Sequence, residues 1–340
     1  MRSILIKSTN WIGDAVLQSP AIRALRRGFP EAHIALVARP WVAELFTTHP
    51  DVDEVIVEPA ERSERRALGR ELRRRRAWDL GLALPNSFTA ASLLWRAGAR
   101  RRRGYARDAR RWLLTEPVRL DPSLLHVHEV DYYLHLLEGL VEPLPDLRLP
   151  HVPPDPDSVE RVRGMMAERR MALGMRENAP LLAIGAAAAY GTAKRWLPER
   201  FAECARTIRE RHGMIPVLIG SEAERETTAE IAELIAPPPV IDLAGEIGIA
   251  DLNALLGQVA LFLTNDSGPM HLAAAQGTPT VAVFGSTNWR TTAPLSPRAK
   301  IVREPTDCAP CLRRHCPIDH RCMTAVSTRR VMMAVDQLLA

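Results

Sequence analysis

The run Leu263-Thr264-Asn265-Asp266-Ser267-Gly268-Pro269-Met270-His271-Leu272-Ala273-Ala274-Ala275 joins two apolar segments of this chain through a polar turn. The apolar run 259–263 leads into the turn, a helix-like segment ends at Gly277, and a second apolar run closes at Gly285. This order predicts a strand, a turn, a helix and a second strand. Asp266 and Ser267 are predicted helix caps, and Gly268 lets a ligand approach the backbone closely.

The turn has the features of an anion site. The helix that follows points its unpaired N–H groups and the positive end of its dipole at the turn, which suits a phosphate-bearing ligand. An ordinary strand-to-helix connection, in which Asp266 or Ser267 caps the helix and binds nothing, is the alternative. This stretch alone leaves both open, so the rest of the chain must decide.

Apolar strand-like segments alternate with helical ones along the whole chain. They span 3–7, 33–38, 54–57, 79–84, 181–185, 216–219, 240–242 and 259–263. Such alternation predicts an α/β fold with parallel, doubly wound sheets. Six prolines between Pro143 and Pro156 exclude a packed helix or central strand there. We therefore expect domains at 1–150 and 151–326, followed by an amphipathic C-terminal helix at 327–340.

The totals limit the class of protein. A chain of 340 residues is too long for one ordinary core, and 45 basic against 40 acidic residues do not by themselves indicate nucleic acid. No run approaches the ~18 apolar residues of a membrane span. The apolar run among the first residues is too short for the core of a signal peptide. We expect a cytoplasmic protein, at most peripheral on a membrane.

Ligands of open α/β sheets bind beyond the carboxyl ends of the strands. The residues that follow predicted strands, and that should converge on a cleft between the domains, are Asp14, Gly185, Gly220, Asp266 and Gly285. Asp14 is either a helix cap or a general base, Lys194 either a solvated cation or a diphosphate ligand, and Glu222 either a cap or a ribose ligand. No dinucleotide fingerprint follows the first strand and no P-loop occurs, which disfavours nicotinamide dehydrogenases and P-loop ATPases.

Five motifs, in chain order, resemble those of the ADP-heptose:lipopolysaccharide heptosyltransferases. They are Gly13-Asp14, Leu84-Pro85-Asn86-Ser87-Phe88, Tyr190-Gly191-Thr192-Ala193-Lys194-Arg195-Trp196, Gly220-Ser221-Glu222 and Thr264-Asn265-Asp266-Ser267-Gly268-Pro269-Met270-His271. The second and third are most similar to heptosyltransferase II, which adds the second heptose of the inner core. One departure is Ile184, where the family has proline.

This resemblance implies a GT-B fold: an acceptor-binding N-terminal domain facing a donor-binding C-terminal domain across a cleft, with the last helix crossing back to the first. It also implies an inverting transfer from ADP-L-glycero-D-manno-heptose to heptosyl-Kdo2-lipid A that requires no metal or cofactor. Asp14 would be the base. Lys194 would bind the diphosphate of the donor, Glu222 the ribose and Asp266 the heptose. Ser267, Gly268 and His271 would lie near the phosphates. Gly185 and Thr192 would contact the donor from the loop that follows the strand at 181–185.

The acceptor side is predicted from the Leu84–Phe88 loop and the arginines. Asn86 and Ser87 would contact the acceptor, with Arg100 and Arg101 from the arginine-rich run that follows. Guanidinium groups suit the Kdo carboxylates and lipid A phosphates of the acceptor, and the anionic membrane surface around it. The arginines at 62–76 would most simply form a solvated helix face, while those at 100–103 follow the predicted acceptor loop.

Four cysteines are spaced Cys308-x2-Cys311-x4-Cys316-x5-Cys322. They could hold a structural zinc or iron–sulfur centre, form a pair of disulfides, or remain reduced thiols. Three other functions stay open: a heptosyltransferase I acting on Kdo2-lipid A, a GT-B nucleotide-sugar epimerase, and a basic nucleic-acid-binding protein with a cysteine module. An aromatic content of 5% and the lack of a nucleic-acid motif disfavour the last, so we expect no nucleic-acid partner.

Overall fold

A computed structural model of the protein describes residues 1–142, 147–188, 190–237 and 240–340. The chain forms two compact units, Met1–Pro153 and Pro154–Ala340. The division falls in the proline-rich segment used for the predicted boundary. Pro143 and Pro145 of that segment, and Ala189 of the loop after residue 185, lie outside the described residues.

The first unit is built on a parallel sheet with strand order β3-β2-β1-β4-β5-β6. Its strands are β1 (Ser3–Lys7), β2 (His33–Ala38), β3 (Glu54–Val57), β4 (Leu80–Ala83), β5 (Arg101–Tyr105) and β6 (Glu116–Val118). Its helices are α1 (Ile12–Leu17), α2 (Ser19–Gly28), α3 (Pro40–Ala43), α4 (Arg62–Arg75), α5 (Phe88–Arg96) and α6 (Glu129–His135). The strand order reverses between β1 and β4, where ligand crevices form in this class of sheet.

The second unit repeats this plan with strand order β12-β11-β10-β7-β8-β9. Its strands are β7 (Leu181–Gly185), β8 (Ile215–Leu218), β9 (Ile241–Asp242), β10 (Leu261–Asn265), β11 (Thr280–Val283) and β12 (Ala299–Val302). Its helices are α7 (Pro156–Ala172), α8 (Pro198–His212), α9 (Arg225–Ile235), α10 (Ile249–Leu256), α11 (Gly268–Ala275), α12 (Trp289–Thr292), α13 (Arg321–Thr324) and α14 (Thr328–Leu339). The order reverses between β7 and β10.

The central strands carry the core. All residues of β1, β7 and β10 are buried, as expected of parallel strands covered by helices on both faces. The last helix, α14, packs on α8, β11 and β12 of its own unit, and it places Val331 and Val335 in that unit's core. Its return to the first domain concerns the arrangement of the two units and stays a prediction. Among the described residues, no helix is both long and apolar enough to cross a bilayer.

Candidate active site

A pocket of about 390 Å³ in the first unit lies at the carboxyl ends of β1, β4 and β5. Its polar lining includes Asn10, Asp14, Asn86, Arg107 and Glu129. Two of the residues predicted from sequence, Asp14 and Asn86, are therefore brought together at the switch point of this sheet. The pocket is polar enough to receive a hydroxyl-rich ligand.

Asp14 lies in the first turn of α1, where the positive end of the helix dipole favours a carboxylate. The Asp14 side chain is not the cap of that helix, because the cap position is Trp11 and it makes no side-chain capping bond. Facing the same pocket is Glu129, the first residue of α6. Burial raises the pKa of the Glu129 carboxyl to about 7, and the negative charge of Asp14 adds to the shift.

A buried arginine fixes the predicted acceptor loop. Arg110 has no exposed surface. It donates to the backbone oxygens of Pro85 and Ser87 and to Asn86 Oδ1, the last at 3.0 Å. Asn86 Nδ2 in turn donates to the Tyr132 hydroxyl. Ser87 caps α5 by accepting from the Ala90 amide at 3.2 Å, so its hydroxyl has a structural role as well as its predicted one.

The structure does not bring Arg100 and Arg101 to this pocket. Both lie at the amino end of β5, at the opposite edge of the sheet, and a strand advances about 3.3 Å per residue. Arg101 is paired with Glu116, and Arg100 lies 3.8 Å from Asp79. The structure therefore does not support Arg100 and Arg101 as ligands of an acceptor bound in this pocket. Arg107, beyond the carboxyl end of β5, lines the pocket instead.

In the second unit, an ion pair joins the loops after β7 and β10. Lys194 Nζ lies 2.8 Å from Asp266 Oδ2, and their side chains are only 15% and 4% exposed. The Thr287 hydroxyl donates to the same carboxylate oxygen. Lys194 Nζ also lies 5.0 Å from the ring centre of Tyr190, a cation–π contact. The two charges predicted to face the donor's diphosphate and sugar thus meet at the switch point of this sheet.

The start of α11 differs from the prediction. Ser267 occupies the cap position, but its side chain makes no capping bond and its hydroxyl lies 3.1 Å from Thr264 Oγ1. Ser267 therefore holds the predicted cap position without the predicted side-chain bond, and Asp266 is engaged by Lys194. Gly268 begins the helix, and His271 is buried in its first turn, 5% exposed. Without a side-chain cap, the first amides of α11 can be paired by an anion.

Gly185 and Glu222, both predicted to contact the donor, also have structural contacts of their own. A Cβ at Gly185 would lie 2.9 Å from the Phe262 ring, so this glycine answers to packing within the sheet. Ser221 and Glu224 form a capping box on the short helical segment Glu222–Glu224. Glu222 is thereby not the cap; its side chain is 73% exposed and pairs with Arg225 at 2.7 Å.

The cysteine segment, residues 308–322, packs on the loop that carries Lys194. The Ala193 amide donates to the Arg314 oxygen at 3.0 Å, and the Thr192 hydroxyl lies 3.0 Å from His315 Nδ1. A Cβ at Gly191 would lie 2.3 Å from the Arg314 oxygen, so only glycine fits there. Thr192, predicted as a donor ligand, is thus bound to this segment.

The four cysteines of that segment are all free thiols, which excludes the pair of disulfides. Cys308 and Cys311 are exposed, Cys316 is half-buried and Cys322 is buried. Within the described ranges, no group of three or more His, Cys, Asp or Glu side chains could hold a metal ion. The predicted metal site is therefore unsupported. Burial raises the pKa of the Cys322 thiol to about 11, with smaller effects of the other three cysteines.

Comparison with known proteins gives a consistent result. The family model of glycosyltransferase family 9 (heptosyltransferase) matches residues 65–321. Lipopolysaccharide heptosyltransferase 2 of Escherichia coli K12 is 31% identical over 310 residues, covering 88% of this chain and 87% of that protein. Lipooligosaccharide heptosyltransferase 2 of Haemophilus ducreyi is 28% identical over 352 residues, covering 99% of each.

Among solved structures, E. coli ADP-heptose LPS heptosyltransferase II matches with a TM-score of 0.85 and 29% identity. The match covers 100% of this chain and 98% of that one. The predicted fold class, α/β with two doubly wound domains of the GT-B type, is confirmed.

Proposed function

Because this chain belongs to glycosyltransferase family 9, the heptosyltransferases, we propose that it moves a heptose from ADP-L-glycero-D-manno-heptose to heptosyl-Kdo2-lipid A. The activity is that of an inverting glycosyltransferase of lipopolysaccharide inner-core biosynthesis. The observation that carries this proposal is the similarity to heptosyltransferase 2 over 88% of the chain, together with the recurrence of both predicted site clusters at sheet switch points.

The second unit is the proposed donor site. The leaving group is ADP, whose diphosphate gains charge as the anomeric C–O bond breaks. Lys194 is held where it can exchange Asp266 for a phosphate oxygen, and the first amides of α11 point at the same turn. A fixed ammonium and a helix N-terminus can stabilise such a charge without a metal ion. Asp266, once released, can accept hydrogen bonds from the heptose hydroxyls.

The first unit is the proposed acceptor site. Asp14 takes the proton of the attacking hydroxyl, with Asn86 and Arg107 on the walls of the same pocket. Arg107 is exposed and suits an acidic group of the acceptor, such as a Kdo carboxylate. General-base assistance of this kind is typically worth ~10²–10⁴ in rate.

We also propose that the protein works as a peripheral enzyme on the cytoplasmic face of an anionic membrane. Exposed aromatic side chains follow the strands that end at the acceptor pocket: Trp11 is 56% exposed, Phe88 44% and Trp112 72%. The Phe88 and Trp112 rings lie 5.8 Å apart, and Arg111, which precedes Trp112 in the chain, is also exposed. Aromatic and basic side chains together favour the lipid interface, where the acceptor lies.

Co-sedimentation with vesicles tests this location. Trp112→Ser should reduce binding to phosphatidylglycerol vesicles several-fold. Trp95→Ser is the matched control, since Trp95 is 51% exposed but lies at the far end of α5, away from the pocket. Equal vesicle binding by both variants and the unaltered protein would contradict the proposal that these aromatic side chains bind the membrane.

The catalytic proposal is tested by supplying ADP-heptose with each of two acceptors and following ADP release. Turnover with heptosyl-Kdo2-lipid A and none with Kdo2-lipid A is the expected result. The reverse preference would make the protein a heptosyltransferase I. No turnover with either acceptor would contradict the proposal.

A further inference from the structure

Asp14 is not the only carboxyl group in the acceptor pocket. Glu129, at the start of α6, lines the same pocket, and α6 packs against both α1 and α2. No sequence motif contains Glu129. Because Glu129 lies in the same pocket as the proposed base, its charge can affect both the base and the acceptor.

The ionisable groups that line the pocket with Glu129 are an acid, two phenols and the guanidinium of Arg107. Asp14 faces it from α1, Tyr132 and Tyr133 line the pocket from α6 itself, and the Tyr105 hydroxyl lies behind them at the end of β5. Tyr132 and Tyr133 are 8% and 5% exposed, so they hold water away from one side of the carboxyl.

Cations near this helix are engaged elsewhere or lie at the rim. Of the arginines on α2, Arg23 lies 3.8 Å from Asp51 and Arg26 is paired with Asp53. Arg107 lines the pocket from the loop after β5. The ion pairs of α6 among the described residues are those of Asp131 with Arg148 and His135 with Glu138, and neither involves Glu129.

Two carboxyl groups in one partly dry pocket do not ionise independently. Burial and the charge of Asp14 raise the pKa of Glu129 to about 7. Near neutral pH the Glu129 carboxyl is therefore partly protonated, and because the two acids interact, its titration is coupled to Asp14. Asp14 lies in the first turn of α1, where the positive end of the helix dipole favours a carboxylate.

We propose that Glu129 is a positioning residue for the transfer: while neutral it leaves Asp14 as the pocket's single carboxylate, and on losing its proton it repels the acidic acceptor. This inference rests on the proposed function. In the chemical step the acceptor oxygen bonds to the anomeric carbon and its proton passes to Asp14. The anomeric C–O bond to the diphosphate breaks, and its electron pair leaves with ADP. Glu129 neither gains nor loses a proton in that step.

The test is the pH dependence of kcat and of the acceptor KM between pH 6 and 9, for the unaltered protein and for Glu129→Gln. The amide is neutral at every pH and has the size of the protonated acid. In the unaltered protein kcat/KM should fall about tenfold by pH 8 from its plateau, through the acceptor KM and not the donor KM. Glu129→Gln should stay within about twofold of the plateau across this range.

Two further variants control for the acceptor's own titration and for structural damage. Asp131→Asn, on the same helix but paired with Arg148 at 2.6 Å, should show the unaltered tenfold fall. Glu129→Asp retains a carboxyl group, so its kcat/KM should still fall as the pH rises. A Glu129→Gln profile parallel to that of the unaltered protein would overturn the proposal.

Carbon-13 NMR of the carboxyl groups supplies a readout that needs no turnover. The Glu129 carboxyl signal is assigned as the resonance that disappears from its original chemical shift in Glu129→Asp. In the unaltered protein this resonance should titrate near pH 7. Titration near pH 4 would overturn the inference even if Glu129→Gln fails to fold. If the unaltered protein is inactive on both acceptors, the proposed function fails while this titration still decides the state of Glu129.

Discussion

Lys194 and Asp266 in the second unit meet as an ion pair at 2.8 Å, whereas Asp14 and Glu129 in the first unit are two acids lining one pocket. Both sets lie beyond the carboxyl ends of the central strands of equivalent sheets. The same scaffold position therefore holds an ammonium and a carboxylate in one unit and two acids in the other.

The difference teaches which chemistry each unit can perform. An ion pair keeps an ammonium ordered and ready to bind an anion in exchange for the carboxylate, while the carboxylate itself is occupied by the ammonium. Two neighbouring acids raise one another's proton affinity, which suits proton transfer and opposes anion binding. The donor's diphosphate belongs with the first arrangement and the attacking hydroxyl with the second.

Removing the base should have the largest effect. Asp14→Asn is expected to lower kcat by about 10²–10⁴, because the attacking hydroxyl loses its proton acceptor. Calorimetric titration with ADP should give an unchanged Kd, since that site lies among second-unit residues. A loss of ADP affinity as large as the loss of kcat would break the division of labour between the two units.

Removing the ammonium should act on the donor. Lys194→Gln is expected to weaken ADP binding about 10–100-fold, as for loss of one charge-assisted hydrogen bond. It also leaves Asp266 buried without its cation, a change that typically costs about 3–5 kcal/mol of stability. Asp266→Asn/Lys194→Gln should recover much of the thermal stability without recovering ADP affinity.

Lys300→Gln is the matched control for that experiment, because Lys300 is an exposed lysine on β12. It should leave ADP affinity and thermal stability unchanged. Unchanged ADP affinity in Lys194→Gln as well would mean that the ion pair is only structural.

Much of this architecture could be predicted from sequence, because buried parallel strands are nearly continuous apolar runs. The segments at β1, β7 and β10 are such runs. The rule that ligands gather at strand carboxyl ends also singled out the loops that carry Lys194 and Asp266, although it did not predict that these two side chains would pair. Strand β5 shows the limit: its sequence Arg101-Arg102-Arg103-Gly104-Tyr105 has no apolar run. Its arginines reach nearby carbonyls and Glu116, as with Arg102 Nε donating to the Leu113 oxygen at 2.7 Å.

Other parts of the site had no local signal. Glu129 resembles any acidic residue in the first turn of a helix, and only the packing of α6 on α1 brings it to Asp14. The cysteine spacing predicts a metal site, yet the contact that this segment makes is through its backbone: the Arg314 oxygen accepts from the Ala193 amide in the loop that carries Lys194. Spacing along a chain does not specify whether side chains converge or the main chain makes the contact.

The smallest expected effect compares two arginines of the first unit. Arg107→Gln should raise the acceptor KM about fivefold, because an exposed ion pair is worth up to about 1 kcal/mol and a pocket holding two acids needs a cation at its rim. Arg101→Gln is the matched control: Arg101 lies at the other edge of the sheet and is paired with Glu116, so its loss should leave the acceptor KM unchanged. If Arg101→Gln had the larger effect, acidic acceptor groups would be recognised at the amino edge of the sheet. The contrast between an acid pocket and an ion pair would then no longer describe how the first unit binds its substrate.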